Sequence, residues 1–262
     1  MRRASLQSML IAVLLLASAA AQVPEFDFYP AYRNWMIKLP VAERRDTPAL
    51  LERYRQQLVD EGVAPAEIQR RLDLLRTQRD KLEADYWNRF FTTDKGVFNA
   101  EPNAFLVSVV EGRKPGRAVD VGAGEGRNAI YLAKLGWDVT AFDPADKALA
   151  LAQERAGKLG VKIKTVVALD TEFDYGTDQW DLAVFSWTRP STPQAAAAAI
   201  RGLKPGGLVV FEGSRNFFPQ MNGALEAFKG LRVLRYEDEL SRSDYFNREQ
   251  MNVIRLLAEK PQ

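Results

Sequence analysis

The stretch Asp120-Val121-Gly122-Ala123-Gly124-Glu125-Gly126 constrains the fold of this chain more than any other. It follows an apolar run, 117–121, that reads as a strand, and precedes a run, 128–135, that reads as a helix stopped by Gly136. Three glycines at alternate positions let the backbone turn sharply and approach a ligand with no Cβ in the way. The helix that follows presents unpaired N–H groups, which suit a phosphate or the carboxylate of an amino-acid ligand. Such a bend commits the chain to a strand–turn–helix unit.

The remainder of the C-terminal two thirds repeats that unit. Strands are expected over 137–142, ending at Asp143, over 161–169, ending at Asp170, over 180–187 and over 208–212. Helices are expected from Pro144 to near Gly160, from Thr192-Pro193 to Gly202, and around 224–228. Two further β-like runs, 231–236 and 252–259, are joined by too few residues for a useful helix, so an antiparallel pair at the sheet edge is expected. The fold class is therefore α/β: a Rossmann-like sheet, mostly parallel with the last strand antiparallel, helices on both faces, and a helical extension before it.

That extension reads as a helical hairpin. Residues 22–46 are punctuated by Pro24, Pro30 and Pro40 and read as irregular; one helix runs from Thr47-Pro48 to about Asp60, and a second from Pro65 toward Phe90. In the second, Ile68, Leu72, Leu75, Leu82 and Tyr86 form one stripe. Its arginines alternate with Glu67, Asp73, Asp80, Glu83 and Asp85, the pattern of a solvated, ion-paired face rather than a nucleic-acid patch. The hairpin can serve as a lid, a cap or a homodimer surface. Ahead of it, Arg2-Arg3, the apolar run 9–17 and Ala19-Ala20-Ala21 make a secretory signal pattern, too short to span a bilayer. The expected organisation is a signal peptide over 1–21, the extension over 22–95 and the α/β domain over 96–262. Cleavage after Ala21 implies export to the periplasm or outside, with a cytoplasmic or membrane-anchored chain as the alternatives.

The formal net charge is only +2, so no pull toward nucleic acid is implied. The chain has no cysteine and no histidine, which removes disulfides, thiolate nucleophiles, Cys-ligated zinc, the usual neutral-pH base and the commonest metal ligand. No metal is expected. Chemistry must come from Asp, Glu, Tyr, Arg, Lys or hydroxyls, or from a cofactor with its own reactivity. A dinucleotide fingerprint starting at Gly122 needs glycine at position 127, where Arg127 stands. An acid inside the turn repels a diphosphate and suits a positively charged ligand such as S-adenosylmethionine (SAM). Asp143, ending the next strand, is placed to accept from two ribose hydroxyls.

Residues 117–156 resemble the first motif, and its sequel, of the class I SAM-dependent methyltransferases. The runs Gly124-Glu-Gly-Arg-Asn-Ala-Ile-Tyr-Leu-Ala and Gly136-Trp-Asp-Val-Thr-Ala-Phe-Asp143 are especially similar to the small-molecule, tellurite-resistance (TehB-like) branch. The resemblance continues through Leu203-Lys-Pro-Gly-Gly-Leu-Val into the terminal β-pair. It implies a methyltransferase that uses SAM and acts on a small molecule by direct displacement. The alternatives are a SAM-binding protein without turnover, or an NAD(P)-dependent oxidoreductase. By resemblance, Asp120 orients the SAM amino group, directly or through water, and Gly122, Gly124 and Gly126 floor the cofactor. Asp143 holds the ribose, and Asp170 meets the adenine, with Phe173 beside the ring. Ser186 and Trp187 lie beside the methyl group, and Arg189 and Arg215 sit in loops that can receive the acceptor. Each has a plainer alternative: Asp170 as a turn cap, Phe173 and Trp187 as core, Arg127 and Asn128 as helix caps, Arg189 and Arg215 as solvated loop residues. The fourth strand lacks the N-P-P-Y or D-P-P-Y of base methylation, and the absence of cysteine removes the thiol relay of arsenite methylation.

Overall fold

The computed structural model describes residues 27–39, 43, 48–93, 99–218, 220–245 and 250–262. The expected signal peptide and the capping role of Thr47 lie outside the described residues. No helix among those described is long and apolar enough to cross a membrane.

Among the described residues, seven strands form one sheet in the order β3-β2-β1-β4-β5-β7-β6. They are β1 (Arg117–Val121), β2 (Asp138–Asp143), β3 (Lys164–Val167), β4 (Trp180–Ser186), β5 (Leu203–Ser214), β6 (Arg232–Arg242) and β7 (Gln250–Glu259). β3 is shorter than expected, and Asp170 lies in the turn beyond it. β5 is longer, because its start pairs Leu203 with Trp180 before the register shifts to Leu182↔Leu208. β7 alone is reversed within the sheet, antiparallel to both β5 and β6, which bears out the expected edge pair.

Strand alternation assigns the layers. Along β4, Leu182 and Val184 pack with α5 (Ala104–Val110) and α6 (Arg127–Lys134). Ala183 and Phe185 pack on the other face with α8 (Pro193–Gly202) and α9 (Gly223–Ala227). α7 (Asp146–Lys158) covers β2 and β3 beside α6. Helix α5 was not expected; what starts it is Asn103, whose side chain accepts from Leu106 N at 2.8 Å.

Two corrections fall in the extension. Residues 29–36, expected to be irregular, form α1 (Tyr29–Met36), because Pro30 occupies a first-turn position, where its missing N–H costs nothing. The single long helix expected from Pro65 is two, α3 (Pro65–Thr77) and α4 (Arg79–Thr93). Gln78 leaves helical geometry (φ −133°, ψ 21°), and the break brings Leu72, Leu75 and Leu82 into one core with Tyr32, Tyr54 and Leu58. Tyr54 and Leu58 come from α2 (Pro48–Asp60). The charged face is ion-paired as expected: Glu67 accepts from Arg70 and Arg71, each at 2.7 Å, and these guanidiniums hold its carboxyl at about 2.

Candidate cofactor and acceptor site

The bend after β1 is built as its glycines require. Gly122, Gly124 and Gly126 have φ of +60°, +52° and +75°, the left-handed region where a side chain is strained. Space forbids one as well. A methyl group on Gly126 would stand 2.8 Å from the Cβ of Ala152 in α7, and one on Gly124 would stand 2.7 Å from Cζ of Phe91 in α4. Gly122 faces Thr188 at 3.0 Å in the same sense.

Two carboxylates bracket this bend, and both are buried. Asp143, ending β2, accepts from Gly124 N (2.9 Å) and Ala145 N (2.8 Å). Burial pushes its carboxyl up to about 6, with those two N–H groups opposing. Asp120 accepts from Ala129 N in the first turn of α6 at 3.0 Å. Burial, with a smaller push from the charge of Asp143, raises it to about 7, against the Ala129 amide and the Arg127 charge. Each ionised form therefore lacks the compensation that a positive ligand would give. The flanking cations are committed elsewhere: Arg155 to Glu125 (3.1 Å) and Arg127 to Asp244 (3.3 Å).

Asp170 accepts from both N and Oγ of Ser191, each at 2.6 Å, so it fastens the loop after β4. That is the turn-cap alternative; one carboxylate oxygen can still accept a second donor. Phe173 stacks on Phe142 with ring centroids 4.1 Å apart, and that face belongs to the core.

At the carboxyl ends of β4 and β5 a buried polar cluster gathers. Trp187 is held at φ +60°, an outlier for a bulky residue. Its backbone N donates to Glu212 O (2.7 Å), its Nε1 donates to Asp244 (2.7 Å), and its ring stacks on Tyr245 at 6.1 Å. Arg127 caps nothing. It donates to Ser186 Oγ (3.1 Å), to Asp244 and to Glu101 O (3.1 Å), and its guanidinium lies 4.9 Å over the Tyr245 ring. Asn128 is no cap either; its Oδ1 accepts from Asn103 N at 2.9 Å. Asn103 Nδ2 bridges Glu212 (2.7 Å) and Asp244 (2.8 Å), and Arg255 donates to Glu212 at 2.6 Å. Burial, then the charge of Asp244, raises the Glu212 carboxyl above its usual range.

The structure thus brings Ser186 and Trp187 together beside the bend, with Arg127. Arg189 is exposed and donates to Pro190 O (3.0 Å), and Arg215 is paired with Asp238 (2.6 Å). Asn103, Glu212, Asp244 and Tyr245 escape sequence reasoning. Only Glu212 leaves a trace there, as an acid ending the apolar run Leu208-Val-Val-Phe-Glu212.

Comparison with known proteins finds methyltransferases. A family described as a methyltransferase domain matches residues 118–207. The probable S-adenosyl-L-methionine-dependent methyltransferase TehB of Haemophilus influenzae is 31% identical over 83 residues, 30% of this chain and 29% of TehB. The putative methyltransferase YqeM of Bacillus subtilis is 26% identical over 108 residues, 39% of this chain and 44% of YqeM. The sequence match therefore spans less than half the length of either relative. The crystal structure of Haemophilus influenzae TehB superposes with a TM-score of 0.54 at 20% identity, covering 66% of this chain and 67% of TehB. Residues 118–207, which include the bend, thus match a methyltransferase domain, and the chain is similar in sequence and fold to the probable SAM-dependent methyltransferase TehB.

Proposed function

We propose that the protein transfers the methyl group of SAM to a small-molecule acceptor by direct displacement. The observation that carries this is the three-glycine bend between two buried carboxylates, Asp120 and Asp143, where β1 has β2 on one side and β4 on the other. Ligands of parallel α/β sheets settle at such a switch point, beyond the carboxyl ends of the strands. The donor set fits SAM, because it is anionic at the bend and its nearby cations are already paired. It does not fit a diphosphate.

Asp143 would hold the ribose, Asp120 the amino group, and Asp170 the adenine, over the floor of Gly122, Gly124 and Gly126. When bound, SAM supplies an electrophilic methyl group on a sulfonium. The chain's own task is to align the acceptor and exclude water, which can supply much of the rate. Trp187 and Tyr245 form an apolar wall for that acceptor. Ser186, Asp244 and Arg127 offer hydrogen-bonding groups to it, and the strain at Trp187 holds its indole toward Asp244.

The reading includes export after cleavage at Ala21. Cell fractionation with N-terminal sequencing tests that part; an intact N-terminus in the cytoplasm would remove it. The activity is tested by calorimetry with SAM, S-adenosylhomocysteine and NAD. A methyl-release assay across metalloid oxyanions, thiols, halides and phenols then completes the test. Binding of NAD alone would overturn the cofactor, and SAM binding with silence across the panel would leave a binding protein without turnover.

A further inference from the structure

The room at the middle glycine of the bend is already taken by a side chain of the extension. Helix α4 lies along α7, where Asn88, buried, donates Nδ2 to Asp146 (2.7 Å) and accepts at Oδ1 from Lys147 N (2.9 Å). α7 has no side-chain cap at Ala145, so Asn88 does the capping from a helix far back in sequence. That pair of bonds holds α4 against the sheet domain.

One turn further along α4, Phe91 reaches Gly124. A Cβ on Gly124 would stand 2.7 Å from Cζ of the ring, 3.2 Å from Cε1 and 3.4 Å from Cε2, so a face of the ring is turned onto that glycine. Trp87 lies at a low angle to the same ring, 32° with 5.9 Å between centroids, and is itself anchored by Nε1 to Glu83 (2.9 Å). Phe90 meets it nearly at right angles, also at 5.9 Å. The ring is therefore held on the bend by neighbours from its own helix.

A glycine bend serves a ligand by leaving room for it to lie against the backbone. At Gly124 that room holds Phe91, and a ring and a nucleoside cannot share it. Resting on the reading of this bend as the SAM site, we infer that Phe91 is a plug: α4 closes the ligand-free bend, and the cofactor has to displace the ring to reach Gly124. Asn88 is the latch, a positioning residue that acts through α4. The open form is then a minor population, and the apparent affinity for the cofactor is reduced by that fraction.

Calorimetry and stopped-flow binding on the full chain and its variants, with S-adenosylhomocysteine as the probe, test this. Phe91→Ala empties the room at Gly124. It is expected to bind roughly 3- to 30-fold more tightly, with most of the gain in the association rate. Asn88→Ala leaves the ring in place but frees α4, and should move both quantities in the same direction. A ring that lined the bound pocket, or only supported the fold, would give weaker binding when removed. Unchanged or weaker binding in Phe91→Ala overturns the plug, and in Asn88→Ala the latch, while wild-type binding keeps the cofactor reading standing. Binding by neither the wild type nor Phe91→Ala overturns both.

Discussion

Gly124 donates its backbone amide to Oδ2 of Asp143 at 2.9 Å, so the carboxylate that ends β2 also shapes the bend that follows β1. The relationship follows from pairing. Val121 lies opposite Phe142 in the parallel ladder, and Ala123 N donates to Phe142 O at 3.0 Å, which leaves the next side chain beside the next free amide. The second oxygen of Asp143 takes Ala145 N at the entry to α7. One side chain thereby sets the bend, the start of a helix and the negative lining of the site.

Asp143→Ala removes charge-assisted bonds of about 1.5–3 kcal/mol and should weaken SAM binding by roughly 10- to 150-fold. Asp143→Asn, which keeps one acceptor oxygen, should lose less. Calorimetry on variants shown to be folded by circular dichroism decides it. An unchanged dissociation constant in Asp143→Ala would take the residue out of the site.

The polar cluster is predicted to serve the acceptor rather than the cofactor. Asp244→Ala leaves Arg127 and the Trp187 indole without a shared carboxylate. Turnover should fall by an order of magnitude or more, while S-adenosylhomocysteine affinity stays within about threefold. If both fall together, the cluster belongs to the cofactor side.

What was legible in the sequence is what local chemistry dictates. Glycines at 122, 124 and 126 can only mean a bend, and Thr192-Pro193 started α8 as read, with Thr192 Oγ1 accepting from Ala195 N at 3.0 Å. Alternation and turn residues gave the seven described strands, with ends displaced by up to six residues, at β6. The rest depends on contacts between distant segments. Nothing local marks Asp244, which meets Arg127 across 117 residues, or Asn103, which meets Asp244 across 141. Phe91 lay inside what read as a helix end, and only the break at Gln78 and the grip of Asn88 on α7 aim it at the bend. Arg127 and Asn128 stood at helix-cap positions, yet Gly126 takes that place and frees both for the cluster.

Gly126 and Gly160 separate backbone strain from packing. Their φ angles are close, +75° and +70°, but a methyl group on Gly126 meets Ala152 at 2.8 Å, and one on Gly160 meets nothing within 4 Å. Gly160→Ala should cost about 1 kcal/mol from the left-handed backbone alone. Gly126→Ala adds overpacking of about 1–3 kcal/mol. Urea unfolding of the two variants checks the order; equal losses would mean that α7 yields to the added methyl.

The carboxyls of Asp120 and Asp143, raised to about 7 and about 6 in the folded protein, set a pH dependence whose sign is fixed. Between pH 4 and 7 the folded chain keeps protons that the unfolded chain releases. Their contribution is therefore complete below about pH 4 and is lost as pH rises toward 7. A cationic ligand acts the other way, because it favours the ionised pair. SAM affinity should climb as pH passes through 6 and 7, and the thermal shift given by SAM should grow over the range in which the ligand-free protein loses stability. Glu67, held at about 2 by Arg70 and Arg71, acts in a separate window: it loses its contribution as pH falls from about 4.5 toward 2. Glu212 is also raised, so the comparison that isolates the bend is wild type against Asp143→Asn across pH 4–8 by thermal unfolding with and without SAM. The variant should show a flatter profile in both arms. A diphosphate ligand at this bend would reverse the sign, gaining affinity as pH falls and the carboxyls take up protons.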